Sequence, residues 1–290
     1  MTFMKRYSKI LVLAGMAFAS VAFVRQDGLV LRLTLKENSV DTYKIESKVK
    51  QTMSGTPAGD MEMGINSSTT YKITTGKVDA EKGKADVTVE TTYDKLEADG
   101  PIADMINNNK PKPSSMKGTL DSLGHLELDK AKLAQAMVQM GAAQQAGPNP
   151  VFVDFPEKAV KIGDTWDVIV PKSQFTGPTD QKLTSKLVGE KKLDDKDVWI
   201  VSTSGPVKFD VDTSKLPKPE DTNNPMAQMS VHVKGTVDMT VESLVEKSTG
   251  KVLRSETKGK SKSTVEIADA GLTIESSATT TTIATLQPAK

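Results

Sequence analysis

The chain has 290 residues, a formal net charge of +1, 26% charged residues, 37% apolar residues and only 4% aromatic residues. This length allows two domains or one large β domain. Nucleic-acid binding is disfavoured, because basic residues do not cluster beyond the N-terminus and stacking aromatic residues are scarce. The lack of cysteine excludes disulfide bonds, thiolate chemistry and a cysteine-linked lipid.

The N-terminus has the pattern of a secretory signal peptide. Basic residues between positions 5 and 9 precede an apolar run over residues 10–24, and small residues offer A-x-A-like cleavage sites ending at Ala19 and Ala22. The run is shorter than the roughly 20 residues that a membrane span needs. We expect residues 1–22 to be removed, leaving a secreted or periplasmic protein that is not integral to the membrane. The alternative is an uncleaved N-terminal anchor.

Alternation of apolar and polar residues dominates the remaining chain. In residues 85–93, Val87 and Val89 share one face while Asp86 and Glu90 share the other. This period of two predicts antiparallel strands with one face in water, so the expected fold class is mainly β, with antiparallel sheets. The same pattern recurs at residues 29–35, 41–53, 69–75, 118–128, 165–170, 183–188, 198–203, 207–211, 235–246, 251–257, 263–267 and 272–286.

One segment predicts a helix instead. Asp129 can cap it, Leu133, Met137 and Met140 recur at helical spacing, and Gly147-Pro148 ends it. We therefore expect one helix over residues 129–146 that packs against a sheet. A functional alternative is that this helix lines or gates an apolar cavity.

Short matches suggest an internal duplication. Val40-Asp41-Thr42-Tyr43 matches Gly163-Asp164-Thr165-Trp166, and Lys117-Gly118-Thr119 matches Lys234-Gly235-Thr236. The matches keep their order at offsets of roughly 110–125 residues, which is typical of two copies of one unit. The predicted organisation is a signal peptide over residues 1–22, a first β unit with a C-terminal helix over 28–150, and a second β unit over 151–290.

Catalytic and metal-binding patterns are weak. The only two histidines, His125 and His232, have the local context of ordinary strand residues, and no G-x-S-x-G elbow is present. Asp210-Val211-Asp212 is the nearest match to a calcium loop, but it lacks the loop's glycine and terminal glutamate. We predict no catalytic constellation, no metal site and no cofactor. A secreted hydrolase is the third-ranked alternative.

Methionine is the unusual element, since it adapts its shape and is over-used at promiscuous apolar sites. It could simply fill gaps in an aromatic-poor core. The functional alternative is an apolar groove, for which we predict the ligand-binding residues Met105, Met116, Leu133, Met137, Met140, Met226 and Met229. The leading prediction is an exported, non-enzymatic envelope or periplasmic protein that binds an apolar, lipid-like ligand or a protein partner. A structural or interaction module without a small ligand is the alternative.

Residues 155–166 resemble a known pattern. Pro156, Val160 and then Gly163-Asp164-Thr165-Trp166 are similar to a motif of uncharacterised secreted bacterial β-rich proteins that carry a domain of unknown function. The resemblance implies export and a β-rich fold, and it implies no activity. More distantly, strands wrapped on a helix resemble periplasmic lipoprotein carriers. We interpret the motif as structural, with Asp164 in the turn and Trp166 anchoring a strand in the core.

Overall fold

The computed structural model describes residues 28–100, 103–108, 111–129, 149–173, 176–215 and 230–288. The strands of the first part are β1 Val40–Thr56, β2 Gly59–Asp79, β3 Lys84–Ala98, β4 Ser114–Asp121 and β5 Leu126–Leu128. Those of the second part are β6 Thr165–Val170, β7 Gln181–Leu193, β8 Lys196–Asp212, β9 Val231–Glu246, β10 Val252–Ile267 and β11 Leu272–Leu286. The described residues also form a short helix, α1 Ala103–Asn108, and the 3₁₀ turns Thr213–Lys215 and Ala268–Ala270.

All eleven strands belong to one antiparallel sheet, which confirms the mainly β, antiparallel prediction. The order is β5-β4-β3-β2-β1-β11-β10-β9-β8-β7-β6, so each half of the chain runs as a meander and β11 pairs with β1 in the middle. Strands from the ranges 28–150 and 151–290 thus share one sheet. The matched segments of the predicted duplication open β1 and β6 and lie within β4 and β9. The duplication itself remains a prediction.

The two faces of the sheet differ in chemistry because side chains alternate along each strand. On β1, Tyr43 and Val49 are buried on the inner face, whereas Lys44, Lys48 and Lys50 are exposed on the outer face. Ion pairs such as Lys72–Glu90, at 2.8 Å, lie on the same outer face between β2 and β3. The period of two therefore sets which face is in water.

The sheet curves so that its two ends approach each other. The Trp166 indole Nε1, on β6, donates to the Asp154 carbonyl at 2.8 Å, and the next residue, Phe155, donates its N–H to the Leu123 carbonyl in the turn after β4, also at 2.8 Å. In a flat sheet nine strand spacings, about 43 Å, would separate β6 from β4. Asp154 and Phe155 are consecutive, so they can contact both β6 and the turn after β4 only if the sheet is curved. The inner face is therefore concave and the outer face convex.

One end of the sheet is filled by chain; we call it the packed end. Segments 28–36 and 149–160 lie on the inner face there and bury Leu31, Val153 and Phe155 against Tyr43 of β1 and Leu187 of β7. The remaining cavity in this cluster is about 20 Å³, enough for roughly one water. The packed end is therefore a hydrophobic core with no room for a ligand.

Residues 29–35, predicted as a strand, form only one isolated bridge, between Leu29 and Val160. The N–H groups of Leu33 and Thr34 donate to the carbonyls of Ser122 and Thr249 in two different turns, both at 2.8 Å. The segment alternates because Leu31 and Leu33 face the core, yet no neighbouring strand offers it a ladder. The prediction of a full strand was wrong here. Apart from Asp129, the helix predicted over residues 129–146 lies outside the described residues.

Candidate functional site

The predicted ligand-binding residues are only partly described. Met116 lies on the inner face of β4 opposite Val89 and is 7% exposed. Met105 lies in α1. The remaining five, namely Leu133, Met137, Met140, Met226 and Met229, lie outside the described residues. Met116 alone therefore has a described environment, and it is that of a buried sheet residue.

Both histidines are engaged in local structure. The imidazole Nδ1 of His125 lies 3.0 Å from Asp121 Oδ2, while Asp121 Oδ1 accepts the N–H groups of Leu123 and His125, both at 2.9 Å, and so closes the β4–β5 turn. On the outer face, His232 Nε2 lies 2.6 Å from Asp210 Oδ1. Within the described ranges, no group of three or more potential metal ligands occurs.

Trp166 has a structural environment. Its ring is half-buried and packs against the core at the packed end and against the smaller cluster of Val168, Leu183, Val207 and Phe209. Its indole N–H is bonded to the Asp154 carbonyl. The side chain thus fastens segment 149–160 to β6.

Beyond the packed end, the inner face forms an uncharged surface that we call the inner trough. It consists of four rows of paired residues across β8, β9, β10, β11, β1 and β2, and none of these residues is Asp, Glu, Lys, Arg or His. The rows are Thr203, Val241, Thr257, Thr282, Ser47 and Ser67; Gly205, Met239, Gly259, Thr280, Val49 and Ile65; Val207, Val237, Ser261, Ala278, Gln51 and Met63; and Phe209, Gly235, Ser263, Ser276, Met53 and Met61.

Residue size varies systematically across the inner trough. The middle strands β10 and β11 contribute only small residues, such as Gly259, Ser261 and Ala278, whereas the flanking strands contribute larger apolar ones, such as Phe209 and Met63. The side chains along the two middle strands are therefore shorter than many of those on the strands beside them. Most of the floor of the inner trough is half-buried, in contrast to the packed end.

Two pairs of polar groups in the inner trough bond to each other across strands. Ser47 Oγ and Thr282 Oγ1 are 3.0 Å apart, and Gln51 Nε2 donates to Ser276 Oγ at 2.7 Å. A hydroxyl or amide group that is hydrogen-bonded within the sheet does not need a hydrogen bond to water. These bonds make the floor compatible with an apolar molecule.

The outer face behind the inner trough has the opposite character. Nine neighbouring side chains of β10, β11 and β1 comprise five lysines and four hydroxyl residues; we call them the lysine–threonine block. They are Lys258, Lys260 and Lys262 of β10, Ser277, Thr279 and Thr281 of β11, and Lys48, Lys50 and Thr52 of β1.

A groove of about 450 Å³ runs from the β10 and β11 part of the block to β8. Its flanking side chains belong to the outer face by alternation, and Gly205, Met239, Gly259 and Thr280 lie in the row between them. The flanking residues are Pro206, Asp238, Thr240, Lys258, Lys260, Thr279 and Thr281. Seven of its eleven lining residues are polar or charged, and none of the predicted ligand-binding residues lines it.

Sequence reasoning missed both surfaces. The alternating lysines at 258, 260 and 262 and at 48 and 50 are visible in the sequence. Their proximity follows only from the pairing of β1 and β10 with β11, more than two hundred residues after β1 along the chain. The sequence also shows that β11 contains a threonine-rich, uncharged run, but this run alone does not indicate either surface.

No protein-family model and no curated protein matches the chain. One similar solved structure is described as "Structure of DynF from the Dynemicin Biosynthesis Pathway of Micromonospora chersina"; it is 7% identical, covers 88% of this chain and 84% of that chain, and has a TM-score of 0.23. A second is the LolA superfamily protein NE2245 from Nitrosomonas europaea, which is 8% identical, covers 86% and 88%, and has a TM-score of 0.16. At such TM-scores neither similarity supports an inference about fold or function.

In the described part of the chain, no helix has both the length and the apolar character needed to cross a membrane.

Proposed function

We propose that the protein is a non-enzymatic binding protein that holds an uncharged, lipid-like apolar ligand in the inner trough. The observation that carries this proposal is the lack of any charged side chain across the four rows of the inner trough, while the outer face of the same strands is rich in lysine and glutamate. An ionic ligand group would find no counter-charge there, and burying an unpaired charge is costly. The N-terminal sequence supports a role outside the cytoplasm.

The dimensions of the inner trough suit a hydrocarbon chain. From Ser47 to Met53 the rows extend over six residue steps of β1, or about 20 Å. One leaflet of a bilayer has a hydrocarbon thickness of about 15 Å, half of the roughly 30 Å core. An extended acyl chain therefore fits along β10 and β11, with the larger apolar residues of the flanking strands on either side.

Titratable pairs lie elsewhere, which favours binding over catalysis. The His125–Asp121 pair closes a turn at the packed end, and the His232–Asp210 pair joins β9 to β8 on the outer face. General acid–base chemistry needs such groups converging on the bound substrate. The four rows of the inner trough offer hydroxyl and amide groups instead. Ser47 bonds to Thr282 and Gln51 to Ser276, while the buried Thr257 hydroxyl has no partner among the described residues.

The test uses two neighbouring residues of β11 that face opposite sides. Ala278→Phe places an aromatic ring on the floor of the inner trough, whereas Thr279→Phe places the same ring on the outer face. Binding of the neutral fluorescent probe N-phenyl-1-naphthylamine should weaken on the order of tenfold in the first variant, equivalent to about 1.4 kcal/mol, and stay unchanged in the second. Fluorescence titration measures both.

Extraction of freshly purified native protein gives an independent readout. Organic extracts analysed by mass spectrometry should contain an apolar molecule, and its amount should fall in Ala278→Phe. A clean native extract together with equal probe binding by both phenylalanine variants would refute ligand binding in the inner trough. It would then favour a structural or interaction module.

A further inference from the structure

The lysine–threonine block concentrates positive charge at the middle of the convex face. Three rows of outer-face residues on β10, β11 and β1 contain five lysines and no carboxylate. Adjacent strands are about 4.8 Å apart and same-face residues along a strand about 6.8 Å apart, so the block measures roughly 10 by 14 Å. All five lysines are exposed.

Most of this charge has no ion-pair partner among the described residues. Lys258 pairs with Glu256 at 2.8 Å. Lys48, Lys50, Lys260 and Lys262 make no ion pair with any described residue. Carboxylates border the block on all four sides. Asp238 of β9 lies beside Lys260 and Glu62 of β2 beside Thr52, while one adjoining row contains Glu242, Glu256 and Glu46 and the other contains Glu275. The bordering acids confine the positive surface to the block.

We infer that the lysine–threonine block is a docking surface for an anionic lipid bilayer. The charge is complementary, since juxtamembrane lysines gain attraction to anionic headgroups that falls off within a Debye length. Lysine ammonium groups are flexible, strongly hydrated point charges, which suits a mobile headgroup layer better than bidentate recognition of one rigid anion. The hydroxyls of Thr279 and Thr281 add hydrogen-bond donors for phosphate oxygens.

The shape of the sheet favours a bilayer over a soluble polyanion. Strand β11 is the sixth of eleven strands in the sheet order, so the block lies at the middle of the convex face. The middle of a convex face is the part that first meets a flat surface. A nucleic-acid strand would call for aromatic stacking platforms, and the block contains none. The proposed ligand site is on the opposite face of the same strands, so the docking inference does not depend on it.

The experiment measures cosedimentation of the purified protein with vesicles. Vesicles of phosphatidylcholine with phosphatidylglycerol should bind the protein, vesicles of phosphatidylcholine alone should not, and added salt should weaken binding. A triple variant, Lys50→Gln, Lys260→Gln and Lys262→Gln, should lose affinity for the anionic vesicles on the order of a hundredfold. The matched control removes three exposed lysines from β7 by Lys186→Gln, Lys191→Gln and Lys192→Gln, with the same change in net charge.

The outcomes separate the possibilities. A loss in the triple variant alone, with unchanged N-phenyl-1-naphthylamine binding, supports bilayer docking by the block. Equal losses in the triple variant and the control, or equal binding to both vesicle types, overturn it. Retention on heparin that depends on the block, without vesicle binding, overturns the bilayer and assigns the block to a soluble polyanion. None of these results bears on probe binding in the inner trough, so the two proposals can fail separately.

Discussion

The packed end and the inner trough are two parts of one inner face, built on the same strands with the same alternation. At the packed end, segments 28–36 and 149–160 supply the apolar side chains that the sheet needs, and Tyr43, Val89 and Leu187 are almost fully buried. In the inner trough, β10 and β11 present glycine, alanine, serine and threonine instead. One inner face thus forms a hydrophobic core at one end and an uncharged, half-buried surface at the other.

The two parts differ in side-chain volume as well as in the share of serine and threonine. Large aliphatic residues interdigitate at the packed end and leave a cavity of only about 20 Å³. Small residues cannot fill the space above a concave sheet by themselves. Stability should therefore be concentrated at the packed end, while the inner trough should tolerate changes in side-chain volume.

Leu187→Ala should have the largest effect on stability. Leu187 is 0% exposed in the packed end, and truncating a buried leucine typically costs about 2–5 kcal/mol of the free energy of unfolding. Met53→Ala, a half-buried methionine of the inner trough, should cost less than about 1 kcal/mol, since part of its surface is already in water. Urea unfolding of both variants measures the contrast. A comparable loss from Met53→Ala would show that the inner trough is packed as tightly as the other end.

Two glycines of the inner trough offer a finer contrast. A Cβ added at Gly235 would lie 2.4 Å from Phe209 Cζ and 2.4 Å from the Lys262 carbonyl oxygen, whereas at Gly259 the nearest atom is Val237 Cγ2 at 3.4 Å. Gly235→Ala should therefore cost about 1–3 kcal/mol through overpacking. Gly259→Ala should be neutral or stabilising by about 0.4–1 kcal/mol, because alanine restricts the unfolded chain.

The unfolding midpoints of these two variants measure the local space directly. If Gly259→Ala destabilises as much as Gly235→Ala, then the floor at Gly259 is closed and the inner trough offers no space above β10 for a ligand. If neither substitution destabilises the protein, the Phe209 side chain can move away from position 235, and β8 is less tightly packed there than its contacts indicate.

The strands could be predicted from the sequence because they alternate, and each exposed charge marks the outer face. The alternation of Val87 and Val89 with Asp86 and Glu90 set both an element and its orientation. The pairing of strands could not be predicted, because β1 and β11 are neighbours in the sheet but far apart along the chain. For this reason the inner trough and the lysine–threonine block were missed. The strand prediction for residues 29–35 was wrong for a related reason. Alternation shows that a segment has one buried side and one exposed side, and an extended segment that lies on a core has both without pairing in a sheet.

Replacing Asp154, a residue of segment 149–160 at the packed end, should have the smallest effect on stability. Burial raises the pKa of the Asp154 carboxyl above its usual value; the nearby His125 lowers this pKa and the Asp121 carboxylate raises it further. A carboxyl whose pKa is raised on folding binds its proton more tightly in the folded protein. Its contribution to stability is fully present below the unfolded pKa of about 3.9 and is lost as the pH rises through the folded pKa.

Asp154→Asn should therefore be more stable than the native protein at neutral pH. The difference in stability should vanish as the pH falls below the pKa of an aspartate in the unfolded chain. Melting temperatures measured across this pH range test the sign, and Asp86→Asn on the exposed outer face controls for loss of one negative charge. A variant less stable at neutral pH would mean that the Asp154 carboxylate stabilises segment 149–160 through its charge. The packed end would then depend on the Asp154 charge in addition to apolar packing and the Lys251–Asp41 ion pair, and its electrostatic contrast with the uncharged inner trough would be larger.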